Sequence, residues 1–302
     1  MKLTCVVDNA VHPGTPFWGE HGVSFLIESE EGRVLLDTEY DIDEIGYAGH
    51  EDPPEIESKE GRVLLDTAAS GTVLLHNLDL VGVAPDTIGA VVLSHAHPDH
   101  TGGLEALLRG RRTGLPIYAH PDIGRERFSR RDGRMARGLP VDLEVLRQQA
   151  DLHLSDAPKE IVSGVWTTGG IAERREPEGR SSQHFVRDGE GWMPDPYRDD
   201  MSLVLDIPDG LVLVCGCCHA GLLNTLSQVR QTFGRHPVAV VGGTHLISAD
   251  EGHLRHLVEV LERLGPPALY LNHCTGQTAY VALARAFGDR VVPCPAGTVL
   301  EF

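Results

Sequence analysis

The chain has 302 residues, 41% of them apolar, which is enough for a large buried core and excludes an intrinsically disordered protein. Its formal net charge of −18, from 26 basic and 44 acidic residues, argues against nucleic-acid binding, because such binding depends on Lys and Arg neutralising phosphates. No run of about 18 apolar residues offers a membrane span and the first residues carry too short an apolar run for a signal peptide, so we expect a cytoplasmic protein with a small-molecule partner.

The six cysteines are not spaced like those of a secreted protein stabilised by disulfides. Three of them are packed into residues 215–218, as Cys-Gly-Cys-Cys. Disulfide frameworks belong to small secreted domains and rarely persist in the cytosol. We therefore expect reduced thiols, which agrees with a cytoplasmic location.

The N-terminal part contains a duplicated segment. Residues 27–38 recur as 56–67 with a single difference, Glu30 against Lys59, and an acidic, proline-containing insert separates the copies. Two copies are too few for a solenoid, which needs at least about three repeats, so this is a local duplication. Because only one copy can keep the register of the core, we expect the other copy and the insert, within residues 39–67, to form a flap near the mouth of the site.

Strands and helices alternate along most of the chain, as the hydrophobic periodicity indicates. The first helix is expected to begin after the N-cap Ser70. Residues 169–198 show no pattern that can be assigned. The predicted strands are 3–7, 23–27, 90–93, 117–119, 165–168, 202–207, 211–214, 238–241, 269–271 and 291–292, and the predicted helices are 73–81, 103–108, one of about ten residues after Gly221, 250–264 and 279–287.

A cluster of metal-binding side chains follows the strand 90–93. His95, His97, Asp99 and His100 lie within six residues, at a point where a strand gives way to a helix. Imidazole and carboxylate together suit zinc, manganese or iron(II), and this close spacing suits two ions better than one. A polar turn with surface histidines is the alternative, but the spacing H-x-H-x-D-H followed by T-G-G is much rarer than a lone His-x-His.

The segment 121–150 is rich in arginine within an acidic protein. Arg125, Arg127 and Arg130 lie in its first half. It is either a solvated basic loop or a substrate lid whose guanidinium groups bind phosphate or carboxylate. Both interpretations stay open.

More histidines lie in loops that follow predicted strands. His219, His245 and His273 each have glycine nearby, as the first cluster does. Strand ends at one edge of a layered α/β protein form a shared cleft, so histidines that are distant in sequence can meet there. Glycine beside them allows close backbone approach.

These motifs resemble the metallo-β-lactamase superfamily, whose leading motif H-x-H-x-D-H stands here at residues 95–100. They resemble in particular the branch of the dihydropterin ribofuranosyl-aminobenzene phosphate synthase of the methanopterin pathway. The motifs of that branch are E-H-G-x-S, L-S-H-x-H-x-D-H-T-G-G-L, G-C-S-H-A-G, G-G-x-H-L and H-C-T-G, which correspond here to residues 20–24, 93–104, 216–221, 242–246 and 273–276.

The resemblance implies an α+β fold, an αβ/βα four-layer sandwich of two mixed β-sheets flanked by helices, in one domain over residues 1–302. It also implies two divalent metal ions, zinc in the first place with manganese or iron as other choices. The implied metal ligands are His95, His97, Asp99 and His100 from the leading motif, with His273 as the last superfamily histidine.

The middle of the expected ligand set departs from the family pattern. Asp199-Asp200 stands where many relatives have Gly-His-Thr, and Gly216-Cys217 stands where they have Gly-Asp with a bridging aspartate. Either the Cys217 thiolate bridges the metals, which zinc accepts, or His219 joins the ligands. We favour His219, because a buried cysteine is often only a packing residue.

Other residues are assigned to the surroundings of the metals. Asp66, or Asp37 in the other copy, resembles the aspartate of the family's D-T-G and is expected to orient a ligand. His245 is expected to contact substrate or a metal ligand, with an ordinary loop histidine as the alternative. His21 either lines the cleft or shapes a loop.

Two cations about 3.5–4 Å apart can hold a water as hydroxide, because binding lowers its pKa from about 15.7 to about 7. Asp99 is placed to orient this nucleophile and to pass a proton to the leaving group. We therefore expect a metal-dependent hydrolase, a phosphoesterase or related transferase, that acts on a small anionic, pterin-like phosphate. A lactonase or thioesterase, or a non-enzymatic metal or redox sensor, are the alternatives.

Overall fold

Three β-sheets and seven α-helices make up residues 1–29, 61–111, 114–130 and 138–302, the part of the chain that the computed structural model describes. The strands are β1 Lys2–Val7, β2 Ser24–Glu28, β3 Arg62–Leu65, β4 Ala90–Val92, β5 Pro116–Ala119, β6 Arg127–Ser129, β7 Asp151–Leu154, β8 Glu160–Val162, β9 Val165–Thr167, β10 His184–Asp188, β11 Gly191–Pro194, β12 Ser202–Ile207, β13 Gly210–Cys215, β14 Ala239–Gly242, β15 Ala268–Leu271, β16 Val291–Pro293 and β17 Val299–Glu301. The helices are α1 Gly71–Leu80, α2 Pro98–Thr101, α3 Leu104–Arg109, α4 Leu143–Gln149, α5 Leu222–Phe233, α6 Glu251–Leu264 and α7 Gln277–Phe287.

The two large sheets have seven strands each and are both mixed. The first runs β17-β1-β2-β3-β4-β5-β7 and the second β16-β15-β14-β13-β12-β9-β8. In the first, β3, β4, β5 and β7 are parallel, and in the second, β13 to β16 are parallel. Parallel strands point their carboxyl ends to the same edge, so loops that follow them are brought together.

The large sheets pack face to face, and helices cover their outer faces. In β2, Phe25 and Ile27 point into the core between the sheets, whereas Leu26 points outward and packs with Leu74 of α1. Helices α5, α6 and α7 cover the second sheet. Both faces of each sheet are therefore buried, which explains the near-continuous apolar runs of the strands. The predicted four-layer α+β sandwich is confirmed.

The second copy of the duplicated segment supplies a strand of the first sheet. Its residues 62–65 form β3, which pairs antiparallel with β2 and parallel with β4. Residues 30–60, with the strand of the first copy and the acidic insert, lie outside the described residues. The flap predicted there stays a prediction.

Two regions differ from the sequence prediction. Residues 169–198, which had no assignment, contain β10 and β11, and these pair with β6 of the arginine-rich segment to form a small third sheet. The segment 121–150 also contains α4. These strands have only three to five residues and depend on pairing with distant partners, which local periodicity does not report. Among the helices described, none is both long and apolar enough to cross a bilayer.

Candidate metal centre

The histidine-bearing loops meet at one edge of the two large sheets. His95 follows β4, His219 follows β13, His245 follows β14 and His273 follows β15. The ring centroids of His95 and His219 are 4.8 Å apart, those of His219 and His245 4.0 Å, and that of His273 lies 5.1 Å from the ring of His100. Residues separated by up to 178 positions in sequence thus form one cluster.

Within this cluster, potential ligand atoms fall into groups that can each hold an ion. In one group they belong to His95, Cys217 and His219, in a second to His100, Cys217 and His273, and in a third to His21, Asp99 and His273. The atoms of each group lie within 4.8 Å of one another, and the five residues of the first two groups are buried. The rings of His95 and His97 are 4.5 Å apart, which places His97 beside the first group.

A shared hydrogen-bond pattern orients the imidazoles. One ring nitrogen, Nδ1, is held by a neighbouring group, which fixes Nδ1 as the donor and leaves the Nε2 lone pair facing inward. The buried Nε2 atoms of His95, His219 and His273 make no hydrogen bond to any described residue. The Nδ1 partners are Ser94 Oγ for His95 at 3.0 Å, Asp66 Oδ2 for His100 at 2.7 Å, the Gly179 carbonyl for His219 at 2.8 Å and Asn9 Oδ1 for His273 at 3.0 Å.

Buried lone pairs without a donor are costly, and several that face one another require something positive between them. Burial, followed by the neighbouring histidines, lowers the pKa of His95 and His219 well below the ordinary value. For His97 the main cause of a lowered pKa is also burial. These three imidazoles are therefore neutral, which is the form that binds a metal. The donor set of imidazole, thiol and carboxylate fits divalent transition metals.

Asp66 orients His100 and does not belong to any of the three ligand groups. Its carboxylate accepts a hydrogen bond from His100 Nδ1 and two more from Ser94. The backbone N–H of Ser94 donates to Asp66 Oδ1 and the hydroxyl of Ser94 donates to Asp66 Oδ2, both at 2.7 Å. Burial alone would lower the pKa of His100, but the carboxylates of Asp66 and Asp99 outweigh it and raise that pKa. A Cβ on Gly216 would lie 2.3 Å from Ser94 Oγ and 2.6 Å from Asp66 Oδ2, so only glycine fits against this network.

Asp99 lies at the mouth of the cluster. Its Oδ2 is 3.4 Å from His273 Nε2, 3.5 Å from His21 Nε2 and 3.6 Å from His100 Nε2, and its side chain is 19% exposed. Burial tends to raise the pKa of this carboxyl, but His100 and His273 lower it far more, so it is ionised. Asp99 is thus a carboxylate that contacts the ligand cluster on one side and solvent on the other.

The motif Glu20-His21-Gly22 presents a histidine to this mouth. Glu20 accepts hydrogen bonds from the backbone N–H and the hydroxyl of Ser70, at 2.8 and 2.7 Å, and so ties the loop to the start of α1. A Cβ on Gly22 would lie 2.7 Å from the Asp99 carbonyl oxygen, so glycine permits this close approach. His21, with a side chain 75% exposed, lies with its Nε2 3.5 Å from Asp99 Oδ2, and whether it lines the cleft stays a prediction.

Asp199 and Asp200 hold the loops that carry the ligands. Asp199 Oδ2 accepts from the Ala96 N–H at 2.8 Å, and Asp200 Oδ2 accepts from the Ala220 N–H at 2.7 Å. Burial raises the pKa of both carboxyls, that of Asp200 to about 7. Neither belongs to the ligand groups, and both contact backbone beside the histidines. A direct part of either residue in metal binding stays a prediction.

The structure corrects the assignment of Arg127 to a substrate lid. Its side chain is 4% exposed, with Nε 2.8 Å from Asp195 Oδ2 and Nη2 2.5 Å from Asp199 Oδ1. Arg127 compensates two buried carboxylates and is not available to a ligand in solution. This pairing could not be predicted from the sequence, because the two carboxylates lie 68 and 72 residues away.

The other two arginines lie beside the small sheet. Arg125 contacts Asp122 at 3.4 Å and donates to the Arg187 carbonyl at 2.5 Å. The guanidinium of Arg130 lies 4.3 Å from the centre of the Phe185 ring. Their binding of substrate stays a prediction.

Two residues of the unassigned stretch 169–198 reach the cluster. The ring of Tyr197 stacks on His219 at 4.0 Å, and its hydroxyl is 2.8 Å from Nδ1 of His184. His184 lies with its ring 4.9 Å from that of His97. On the opposite side of His219 lies His245, whose pKa is lowered to about 4, mainly by burial. The sequence contains one hint of the place of Tyr197, which lies two residues before Asp199, and none of the place of His184.

Comparison with known proteins gives one family. A model of the metallo-beta-lactamase superfamily matches residues 55–222. The whole chain aligns with 97% of the 7,8-dihydropterin-6-methyl-4-(beta-D-ribofuranosyl)-aminobenzene-5'-phosphate synthase of Methanocaldococcus jannaschii, at 28% identity.

Solved structures share the fold. The crystal structure of Tm1679, a metal-dependent hydrolase of the beta-lactamase superfamily, superposes with a TM-score of 0.77 and 25% identity, covering 100% of this chain and 99% of that one. Zn(2+)-bound PqqB from Methylobacterium extorquens covers 100% of both chains with a TM-score of 0.53, at 12% identity. That second likeness concerns the fold alone.

Proposed function

Because this chain belongs to the metallo-beta-lactamase superfamily, we propose that it is a metal-dependent hydrolase of a small anionic, phosphate-bearing substrate. The observation that carries the proposal is the convergence of buried, unpartnered imidazole nitrogens on a common space at the edge of the sheets. Residues around this space would hold two divalent ions, zinc in the first place. The proposed ligands are His95, His97 and His219 for one ion and Asp99, His100 and His273 for the other.

Two such ions would supply a nucleophile at neutral pH and polarise the bond under attack, because coordination lowers the pKa of water to about 7. The chain itself does the positioning. Asp66, Asn9 and the Gly179 carbonyl hold the imidazoles in one tautomer, which fixes the direction of their lone pairs.

Asp99 would act on the substrate side. Its ionised carboxylate can accept a hydrogen bond from the attacking water and orient it, because its side chain is 19% exposed to solvent. His21 above it borders the same opening and would contact the substrate first. A proton released in the attack can pass to the leaving group across this mouth.

The phosphate-bearing class is supported by the relative that aligns with the whole chain, since its name contains a pterin and a phosphate. We propose a pterin-like phosphate ester as the substrate and a phosphoesterase or related transferase reaction. Arg125 and Arg130, which lie beside the small sheet, are proposed to attract the anion.

We expect the zinc-loaded protein to hydrolyse a generic phosphodiester, such as bis(p-nitrophenyl) phosphate, faster than a lactone or a thioester. His97→Ala should lower this turnover by about 100-fold or more, because even residues that only orient a ligand contribute up to that factor. His153→Ala, which alters a partly buried histidine 2.9 Å from Asp151 and outside the ligand groups, is the control and should leave turnover unchanged. Equal turnover by the parent and His97→Ala, or a preference for the lactone, would contradict the proposal.

A further inference from the structure

The sulfur of Cys217 is the atom that the first two ligand groups have in common. These two groups are otherwise separate, with His95 and His219 on one side and His100 and His273 on the other. Cys217 Sγ lies 3.1 Å from His100 Nε2, and the residue is 2% exposed. A donor in this position faces two places where an ion could be held.

Local structure directs this sulfur, and not its neighbours, into the centre. The preceding Gly216 packs against Ser94 and Asp66 with no room for a Cβ, which brings the next residue close to the histidines. Cys218 has a positive φ of 58° and turns its side chain away, so that its Sγ lies 3.3 Å from Thr225 Oγ1 under helix α5. Cys215 also lies in the core beneath the helices.

A simple buried thiol does not explain the surroundings. The S–H of Cys217 could donate to His100 Nε2, whose ring is already fixed as a donor to Asp66 through Nδ1. That hydrogen bond would satisfy only the lone pair of His100 Nε2. The Nε2 atoms of His95, His219 and His273 would stay buried without a donor, and a single proton cannot serve them all.

Cations bound between the sulfur and the imidazole nitrogens would stabilise lone pairs that face one another. We propose that the Cys217 thiolate bridges the two metal ions, and that the centre therefore selects zinc, iron(II) or cobalt over manganese and magnesium. A thiolate has lone pairs for two ions and is a soft donor, whereas manganese and magnesium prefer oxygen. The inference rests on the two-ion centre of the proposed function and assigns its shared ligand.

X-ray absorption at the zinc edge tests the bridge on the full-length protein loaded with two zinc equivalents. One sulfur shared by two ions gives an average of one sulfur per zinc, at about 2.3 Å. An average of half a sulfur per zinc would show a terminal thiolate and overturn the bridge. No sulfur scattering would overturn any coordination by Cys217.

Two variants test whether the sulfur bound to zinc belongs to Cys217. Cys217→Asp should keep two zinc ions, lose the sulfur scattering and shift the competition between manganese and zinc toward manganese by about 10-fold or more, because it replaces a soft donor by a hard one. Cys218→Ala removes the adjacent buried sulfur, which faces the helices, and should keep one sulfur per zinc. Sulfur scattering that survives Cys217→Asp, or that Cys218→Ala removes, would contradict the assignment.

These outcomes are separable from those of the proposed function. Phosphodiester turnover by a protein whose zinc shows no sulfur would overturn the bridge and leave the function intact. One sulfur per zinc without turnover of any phosphodiester would overturn the function and leave the bridge intact.

Discussion

Asp99→Asn is expected to lower kcat for phosphodiester hydrolysis by about 10²–10⁴-fold, the usual contribution of a group that accepts or delivers a proton in the reaction. The substitution keeps the shape of the side chain and removes its charge. In the parent, Asp99 Oδ2 lies 3.4–3.6 Å from three imidazole nitrogens and faces the open mouth of the centre. The amide would present an N–H or a weaker acceptor to the attacking water.

The measurement is kcat at saturating substrate, expressed per bound pair of metal ions, so that loss of metal is separated from loss of chemistry. Asp151→Asn is the matched control. It alters an exposed carboxylate 2.9 Å from His153 on the surface, and its kcat should equal that of the parent. An Asp99→Asn protein that turns over at the parental rate with full metal content would remove Asp99 from the reaction.

Arg127→Met is expected to lower the free energy of unfolding by about 3–5 kcal/mol, the cost of leaving a buried charge without its partner. The substitution keeps much of the apolar stem and removes the guanidinium between Asp195 and Asp199. Since Asp199 also accepts from the Ala96 N–H, between His95 and His97, the metal-binding loop should loosen too. Denaturant unfolding of parent and variant measures the difference.

The deficit of Arg127→Met should depend on pH. Burial raises the pKa of Asp199 in the parent, and loss of the arginine would raise it further, because Arg127 opposes that shift. An acid whose pKa is higher in the folded state loses stability as pH rises from its unfolded to its folded pKa. The deficit should therefore be smaller in mild acid than at neutral pH.

Arg235→Met is the control for Arg127→Met. It breaks a 2.7 Å ion pair with Asp206 whose two side chains are 49% and 43% exposed, and such pairs contribute about 0–1 kcal/mol. If Arg127→Met costs no more than Arg235→Met, Arg127 does not compensate the buried carboxylates.

The layered fold and the leading metal motif could be predicted because their signals are local. His95, His97, Asp99 and His100 are neighbours in sequence, and long apolar strands report burial on both faces. The approach of His219 and His273 was also predictable, since the strand before each of them is parallel to its neighbours and ends at the same edge.

The contacts that could not be predicted join distant parts of the chain. Arg127 resembles its neighbours Arg125 and Arg130 in sequence, and only the folded chain distinguishes it, by placing two carboxylates against it. Tyr197 and His184 come from a stretch without periodicity, because β10 is stabilised by pairing with β6 and β11.

Cys217 and His219 were alternatives in the sequence, but the structure places both in the same group of potential ligands. Cys217 and His219 lie two residues apart, and the positive φ of the intervening Cys218 turns the backbone between them. Both side chains therefore point to the same space. Backbone turns of this kind are not visible in composition or periodicity, so sequence alone could not show that the two choices are compatible.

The proposed function requires that the edge of the sheets binds two metal ions. Anomalous diffraction at the zinc edge, from crystals of the zinc-loaded protein, locates such ions. We expect two peaks, one between His95 and His219 and the other between His100 and His273, both next to Cys217. A map with no peak among these residues, or with a single peak, would exclude a two-ion centre at this edge.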